Sequence, residues 1–239
     1  MDLKPFPQKE NLLIFDIDGT LTDSVFVHQS GFKNALKYSG ISDYDSNFSG
    51  YKHHTDSFIF KTIFESYQKC PCTETDIKNF SHALYQEIQK ELDAKSIGEI
   101  DGALKFINYI LFESDFALVY ATGSLEKPAL LKLAHTGFPL SESLLVSSDK
   151  LQTREEIVEA SIIRAMGYFE NQRFDKVIAL GDGLWDLQTA KKANLGFIGI
   201  GAKNKQILYD HGASVVFDDF IDFKAIINCL NTDCAISTC

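Results

Sequence analysis

The 239-residue chain is short of several things, and each shortage narrows the problem. It has one tryptophan, two methionines and five prolines. No run of about 18 apolar residues occurs, so no membrane-spanning helix is expected. Residues 1–10 carry two prolines and mixed charge in place of the apolar stretch of a secretory leader. No CxxC pair occurs. The five cysteines (Cys70, Cys72, Cys229, Cys234 and Cys239) are odd in number and read as reduced thiols of a cytoplasmic protein. Positive charge is also in deficit, with 23 Lys and Arg against 33 Asp and Glu and a net charge of −10. A surface of that sign repels polyanions at long range, which argues against a nucleic-acid partner. It still admits a small anionic ligand where a bound cation reverses the local field. Oligomeric state is not legible.

What is present is a chain long enough for a large core, with 45% hydrophobic residues. Short apolar runs at 11–17, 116–121, 144–147, 177–180, 196–200 and 215–217 read as buried strands. Amphipathic patterns lie between them: Leu104, Ile107, Ile110 and Leu111 share a face, and a Thr153–Glu156 capping box precedes Ile157, Val158, Ser161, Ile162 and Ala165. Strands alternating with helices imply an α/β fold with a Rossmann-like, mostly parallel sheet covered on both faces.

Residues 23–95 break the alternation. Three helical sets occur there: Val25, Gln29, Phe32 and Leu36; Phe60, Ile63, Phe64 and Tyr67; Ile77, Phe80, Leu84 and Ile88. They predict a helical cap inserted after the first strand, with residues 1–22 and 96–239 forming the core. In parallel sheets ligands bind beyond the carboxyl ends of the strands, so an insert leaving the end of the first strand is placed as a candidate lid.

Polar residues collect at those strand ends. In Asp16-Ile17-Asp18-Gly19-Thr20-Leu21-Thr22, acids at i and i+2 of a strand point the same way. Two acids so placed suit a divalent cation with oxygen ligands, although Asp-Gly is also a common turn pair. Thr122, Gly123 and Ser124 follow the second strand, where a hydroxyl and backbone N–H groups can meet a phosphate oxygen or simply cap a helix. Asp182 and Asp186 flank the start of a helix after 177–180, as metal ligands or as first-turn acids. Arg154 opens a predicted helix, where a cation opposes the dipole and is placed for an anion; Lys127 and Lys150 are alternatives. In the insert, Lys52, His53 and His54 can reach a substrate or form a solvated loop capped by Thr55 or Asp56.

Taken in order, these residues resemble the four motifs of the haloacid dehalogenase superfamily, in its phosphoglycolate phosphatase-like branch with a first-type helical cap. The likeness runs from residue 11 to about 217. It implies a Mg²⁺-dependent phosphatase acting on a small phosphorylated metabolite. Asp16 would be the nucleophile that forms an aspartyl-phosphate, and Asp18 the acid/base. Thr122 and Gly123 would meet the phosphoryl group, Arg154 would stand for the usual lysine, and Lys52 and His54 would reach the substrate. Mg²⁺ would be held by Asp16, the Asp18 carbonyl and Asp182, with Asp186 close by. Two departures stand out: arginine in the third motif, and Trp185 within the fourth. A sugar-phosphate mutase and a non-catalytic binding protein are the alternative readings. Carbon–halogen or carbon–phosphorus cleavage is disfavoured, because relatives with that chemistry lack the second acid, here Asp18.

Overall fold

The computed structural model describes residues 9–139 and 142–232. The elements run β1 (Asn11–Phe15), α1 (Val25–Tyr38), α2 (Asp56–Gln68), α3 (Glu74–Ala94), α4 (Ala103–Glu113), β2 (Phe116–Ala121), α5 (Glu126–His135), β3 (Leu145–Val146), α6 (Arg154–Tyr168), β4 (Val177–Gly181), α7 (Leu184–Lys192), β5 (Gly196–Ile200), α8 (Lys205–Asp210), β6 (Val216–Phe217) and α9 (Phe223–Asn231). Among the described residues the strands form one parallel sheet in the order β3-β2-β1-β4-β5-β6. This is the α/β, Rossmann-like architecture expected from the alternation.

The central strand explains its own composition. Alternate side chains of a strand face opposite sides of the sheet. Leu13 and Phe15 enter one core with Phe106, Leu118 and Phe220, while Leu12 and Ile14 enter another with Val119, Ile157 and Ala165. Both faces are covered, so β1 is apolar throughout rather than alternating. The chain steps from β1 outward to β2 and β3, then returns to the other side of β1 for β4. The crevice of such a sheet opens where that direction reverses, at the ends of β1 and β4.

Helices α1 to α3 lie between β1 and α4 and have a core of their own. Phe32, Phe60 and Phe80 meet there, with ring centroids 4.9 Å apart for Phe32–Phe80 and 4.0 Å for Phe60–Phe80. The Thr73–Asp76 capping box that starts α3 is formed in both directions. Leu125, at the start of α5, is buried in this same cluster, so the insert rests on the core helix that follows β2.

Three expectations need correction. The first strand ends at Phe15 rather than at residue 17, so Asp16 and Asp18 lie beyond it and do not share a strand face. The reason is local: the N–H groups of Thr20, Leu21 and Thr22 all turn back onto the Ile17 carbonyl, closing a tight loop. The runs at 144–147 and 215–217 pair over only two residues each. Cys70 and Cys72 are free thiols, but Cys229 is disulfide-bonded, because pairing follows spatial approach that spacing does not reveal. Cys234, Cys239 and most of the amino-terminal segment lie outside the described residues. Among the described residues no helix is long and apolar enough to cross a membrane.

Phe80→Ala is expected to destabilise the protein by about 3–5 kcal/mol, the usual loss for emptying a buried phenylalanine site. Hydrogen exchange should accelerate in α1–α3 more than in β1 and β4, because the deleted ring serves the insert's separate core. Equal acceleration throughout would show that the two cores melt as one.

Candidate active site

The loop after β1 brings a carboxylate to the crevice and then bends sharply. Asp16 donates its backbone N–H to the Leu180 carbonyl of β4 (3.0 Å), which ties it to the neighbouring strand. Gly19 follows with φ +88°, a left-handed conformation that favours glycine. An added Cβ there would stand 2.5 Å from Asp182 Oδ2, so the loop approaches the β4 acid as closely as a backbone can.

Asp182 and Asp186 come from the turn between β4 and α7. Asp186 Oδ2 accepts from the Gly183 N–H (3.1 Å), so this acid does cap the helix. Its other oxygen faces Arg154 at 3.6 Å. One carboxylate thus caps the helix with one oxygen and faces the arginine with the other. The Asn204 side chain, just before α8, donates to the Asp182 carbonyl (3.0 Å).

Arg154 is the cation of the cluster. Its Nη1 donates to Asp16 Oδ1 (2.9 Å) and its Nε to the His54 carbonyl (3.0 Å). Lys127 and Lys150 are exposed. Gly123 makes room for this arrangement: a Cβ at that position would lie 2.4 Å from the His54 carbonyl and 2.9 Å from the guanidinium carbon. Thr122 is buried beside it, its Oγ1 accepting from the Ser124 N–H (3.0 Å).

The insert reaches the cluster through His54 rather than Lys52, which is exposed. The His54 ring stacks on Trp185, centroids 4.6 Å apart and 21° between planes. The indole of the fourth motif thus faces the insert instead of packing into the sheet. Neighbouring residues clip the insert down: Asp56 N–H donates to the Gly123 carbonyl (2.7 Å), Thr55 Oγ1 to the Gln152 carbonyl (2.8 Å) and Ser57 Oγ to the Leu151 carbonyl (2.9 Å).

Asp18 turns away from the other acids. Its carboxylate accepts from Ser24 Oγ and, through both oxygens, from Lys132 Nζ at 2.6 and 2.5 Å. Lys132 lies on α5 and is fully buried. It also donates to His28 Nδ1 (3.1 Å), while His28 Nε2 contacts Asp56 Oδ1 (2.9 Å). A lysine ammonium only donates, so the His28 proton sits on Nε2 and points at Asp56. Sequence reasoning missed Ser24, His28 and Lys132. The one available signal was a lysine on the buried face of α5, at helical spacing from Ala129 and Pro128.

Charge follows this geometry. Burial and the nearby Asp16 push the Asp182 carboxyl up to about 7, against the pull of Arg154. Burial likewise raises Asp16 and Asp186, again opposed by Arg154. For Asp18 burial acts upward too, but the Lys132 ammonium outweighs it and brings the group down to about 2. Asp18 is a carboxylate in this arrangement.

Asp16, Asp182 and Asp186 offer carboxylate oxygens that all lie within 4.8 Å of one another. Asp182 Oδ1 is buried with no hydrogen-bond partner. Three crowded carboxylates, one of them with an unsatisfied oxygen, fit a hard divalent cation with oxygen ligands. The Asp18 carboxylate is not part of that set.

The raised acids predict a pH effect on the protein in the presence of a chelator. A carboxyl whose folded pKa lies above its unfolded value holds its proton longer when folded. Stability therefore falls as pH rises from about 4, the ordinary Asp value, through about 7 for Asp182. The melting temperature should drop across that window, and Asp182→Asn should flatten the drop. A profile unchanged by the substitution would remove Asp182 as its source.

Comparison with known proteins places this geometry in context. No curated protein matches the chain in sequence. Among solved structures, a hydrolase from Pseudomonas syringae superposes with a TM-score of 0.68 at 20% identity, covering 90% of this chain and 97% of that one. A putative β-phosphoglucomutase from Bacteroides vulgatus gives 0.67 at 19% identity, with 95% and 91% covered. CbbY from Rhodobacter sphaeroides, in complex with phosphate, gives 0.66 at 18% identity, with 90% and 96% covered. At these identities the structures establish a shared fold. The family model for haloacid dehalogenase-like hydrolases matches residues 13–200, a span that takes in Asp16, Asp18, Thr122, Arg154, Asp182 and Asp186. The chain belongs to the haloacid dehalogenase-like hydrolase family.

Proposed function

We propose that the protein is a Mg²⁺-dependent phosphatase that hydrolyses a small phosphate monoester through an aspartyl-phosphate on Asp16. The observation that carries this reading is Asp16 itself. It is a buried carboxylate at the sheet's switch point, held by Arg154 at 2.9 Å and grouped with Asp182 and Asp186. The phosphate held by the similarly folded CbbY supports the same ligand chemistry.

In the first half-reaction an Asp16 carboxylate oxygen attacks phosphorus, the ester P–O bond breaks, and the leaving oxygen takes a proton from Asp18. In the second, water attacks the phosphorus, its proton passes to Asp18, and the bond to Asp16 breaks to release phosphate. The ion-paired Asp18 described above is set for the second role. For the first it must carry a proton, which requires Lys132 to loosen its hold on one oxygen. Arg154 offsets charge on Asp16 and the phosphoryl group, and Thr122 and Gly123 line the place where that group would sit. Asp16, Asp182 and the Asp18 carbonyl would hold Mg²⁺, with Asp186 beside them. When bound, the ion supplies charge neutralisation for the transferring phosphoryl group. Helices α1–α3 act as a cap, and His54 with Trp185 closes the site on the cap side.

Phosphate release from a panel of small phosphomonoesters tests the reading. Wild-type protein should release phosphate with Mg²⁺ and stop in excess EDTA. Asp16→Asn should keep the fold and lose activity by more than about a thousandfold, as expected when a covalent nucleophile is removed. Near-normal turnover in that variant would refute the mechanism. Isomerised sugar phosphate without free phosphate would identify a mutase instead.

A further inference from the structure

Lys132 is an unusual residue to find where it is. A fully buried ammonium is expensive to desolvate, and a buried ion pair is seldom the most stabilising way to fill a core. Its position on α5 is one that leucine would occupy in an ordinary amphipathic helix: Ala129 and Leu133 on the same face are wholly buried. The ammonium points at one acid from the β1 loop and grips both of its oxygens, at 2.6 and 2.5 Å. Ser24 Oγ takes the same Oδ1 from another side. A carboxylate held at both oxygens has neither free rotation about χ2 nor freedom to swing toward Asp16.

The brace continues into the insert. Lys132 Nζ also donates to His28 Nδ1 on α1 and lies 3.4 Å from Ser124 Oγ. His28 is held by Asp56 at the start of α2. The second oxygen of Asp56 accepts from the Leu125 N–H (3.0 Å), at the start of the helix that carries Lys132. The contacts therefore form a closed circuit: α5 to Asp18, α5 to α1, α1 to α2, and α2 back to α5. Two of its four stations belong to the insert, so the circuit is complete only while the insert is docked.

We propose that Lys132 is a positioning residue that aims the Asp18 carboxylate, and that the His28–Asp56 pair makes that aim depend on the docked insert. This inference rests on the phosphatase reading for the role of Asp18, but not for the contact itself.

Two measurements on purified full-length protein test it. The first is rapid-quench turnover of p-nitrophenyl phosphate with Mg²⁺, using wild type, Lys132→Met and His28→Ala. A good leaving group needs no proton, so transfer to Asp16 should survive in Lys132→Met, while hydrolysis of the phosphoenzyme, which needs a well-aimed Asp18, should not. The expected result is a burst of nearly one equivalent of p-nitrophenol followed by turnover slowed about a hundredfold, the usual range for a lost acid/base contribution, with KM lowered in step so that kcat/KM, which reports transfer to Asp16, is little changed. His28→Ala, which keeps the Lys132 side chain but frees its ammonium from the insert, should show the same burst with a smaller loss. Unchanged kcat, or kcat lost without a burst, overturns the proposal; if Lys132→Met does not fold, normal kcat in His28→Ala does so. The second is the crystal structure of Lys132→Met, or of His28→Ala in that case, which should show the Asp18 carboxylate turned from its wild-type orientation. An unchanged orientation overturns the proposal whatever the activity. A wild type that releases no p-nitrophenol would sink the phosphatase reading and leave the crystallographic comparison to decide this one.

Discussion

Like charges a few ångströms apart repel strongly when water is excluded, and the ends of β1 and β4 bring four carboxylates into that situation. Much else in the structure answers this crowding. Arg154 is drawn to Asp16 and Asp186 from the first turn of α6, where the helix dipole alone would disfavour it. Lys132 is buried whole to meet Asp18. Glycine stands at 19 and 123 because the backbone must pass within contact of a carboxylate in one case and of a guanidinium in the other.

The two cations divide the acids into unequal sets. Asp16, Asp182 and Asp186 share one arginine and retain an orphaned oxygen, so they remain short of positive charge. Asp18 has a lysine to itself, two hydroxyl neighbours nearby and a histidine behind the lysine. Acids only two residues apart are thus held in opposite electrostatic states: burial dominates for Asp16, ion pairing for Asp18. Paired titratable groups pushed apart in this way are the usual physical basis for assigning different chemical tasks to similar side chains.

The insert belongs to this electrostatic arrangement as much as to the hydrophobic one. Its contacts with the rest of the chain combine an apolar seam, where Leu125 at the start of α5 and Leu131 within it join its phenylalanine core, with polar contacts at residues 54–57 and at His28. A docked insert covers Arg154 with the His54 carbonyl and supplies half of the circuit around Lys132, so docking and the arrangement of charged groups are one event.

How much of this was legible beforehand differs by residue. The parallel sheet was readable because strands buried on both faces must be apolar and must alternate with amphipathic helices, a local signature. Asp16, Arg154, Asp182 and Asp186 were singled out because each sits where a strand ends or a helix begins, and in this fold such places converge. The end of β1 was misread by two residues, since the loop that bends Asp18 away is made by backbone hydrogen bonds to Ile17 that no side-chain pattern announces. Lys132, His28 and Ser24 were invisible for a related reason. Each is an ordinary polar residue on a helix or at its start, and its importance comes from a partner 114, 104 or 6 residues away. Sequence alone therefore determined the sheet, the helical insert and the acids at the strand ends, because periodicity and capping act over a few residues. Tertiary structure alone decided which cation meets which acid, because that depends on how α5 and the insert pack against the end of β1.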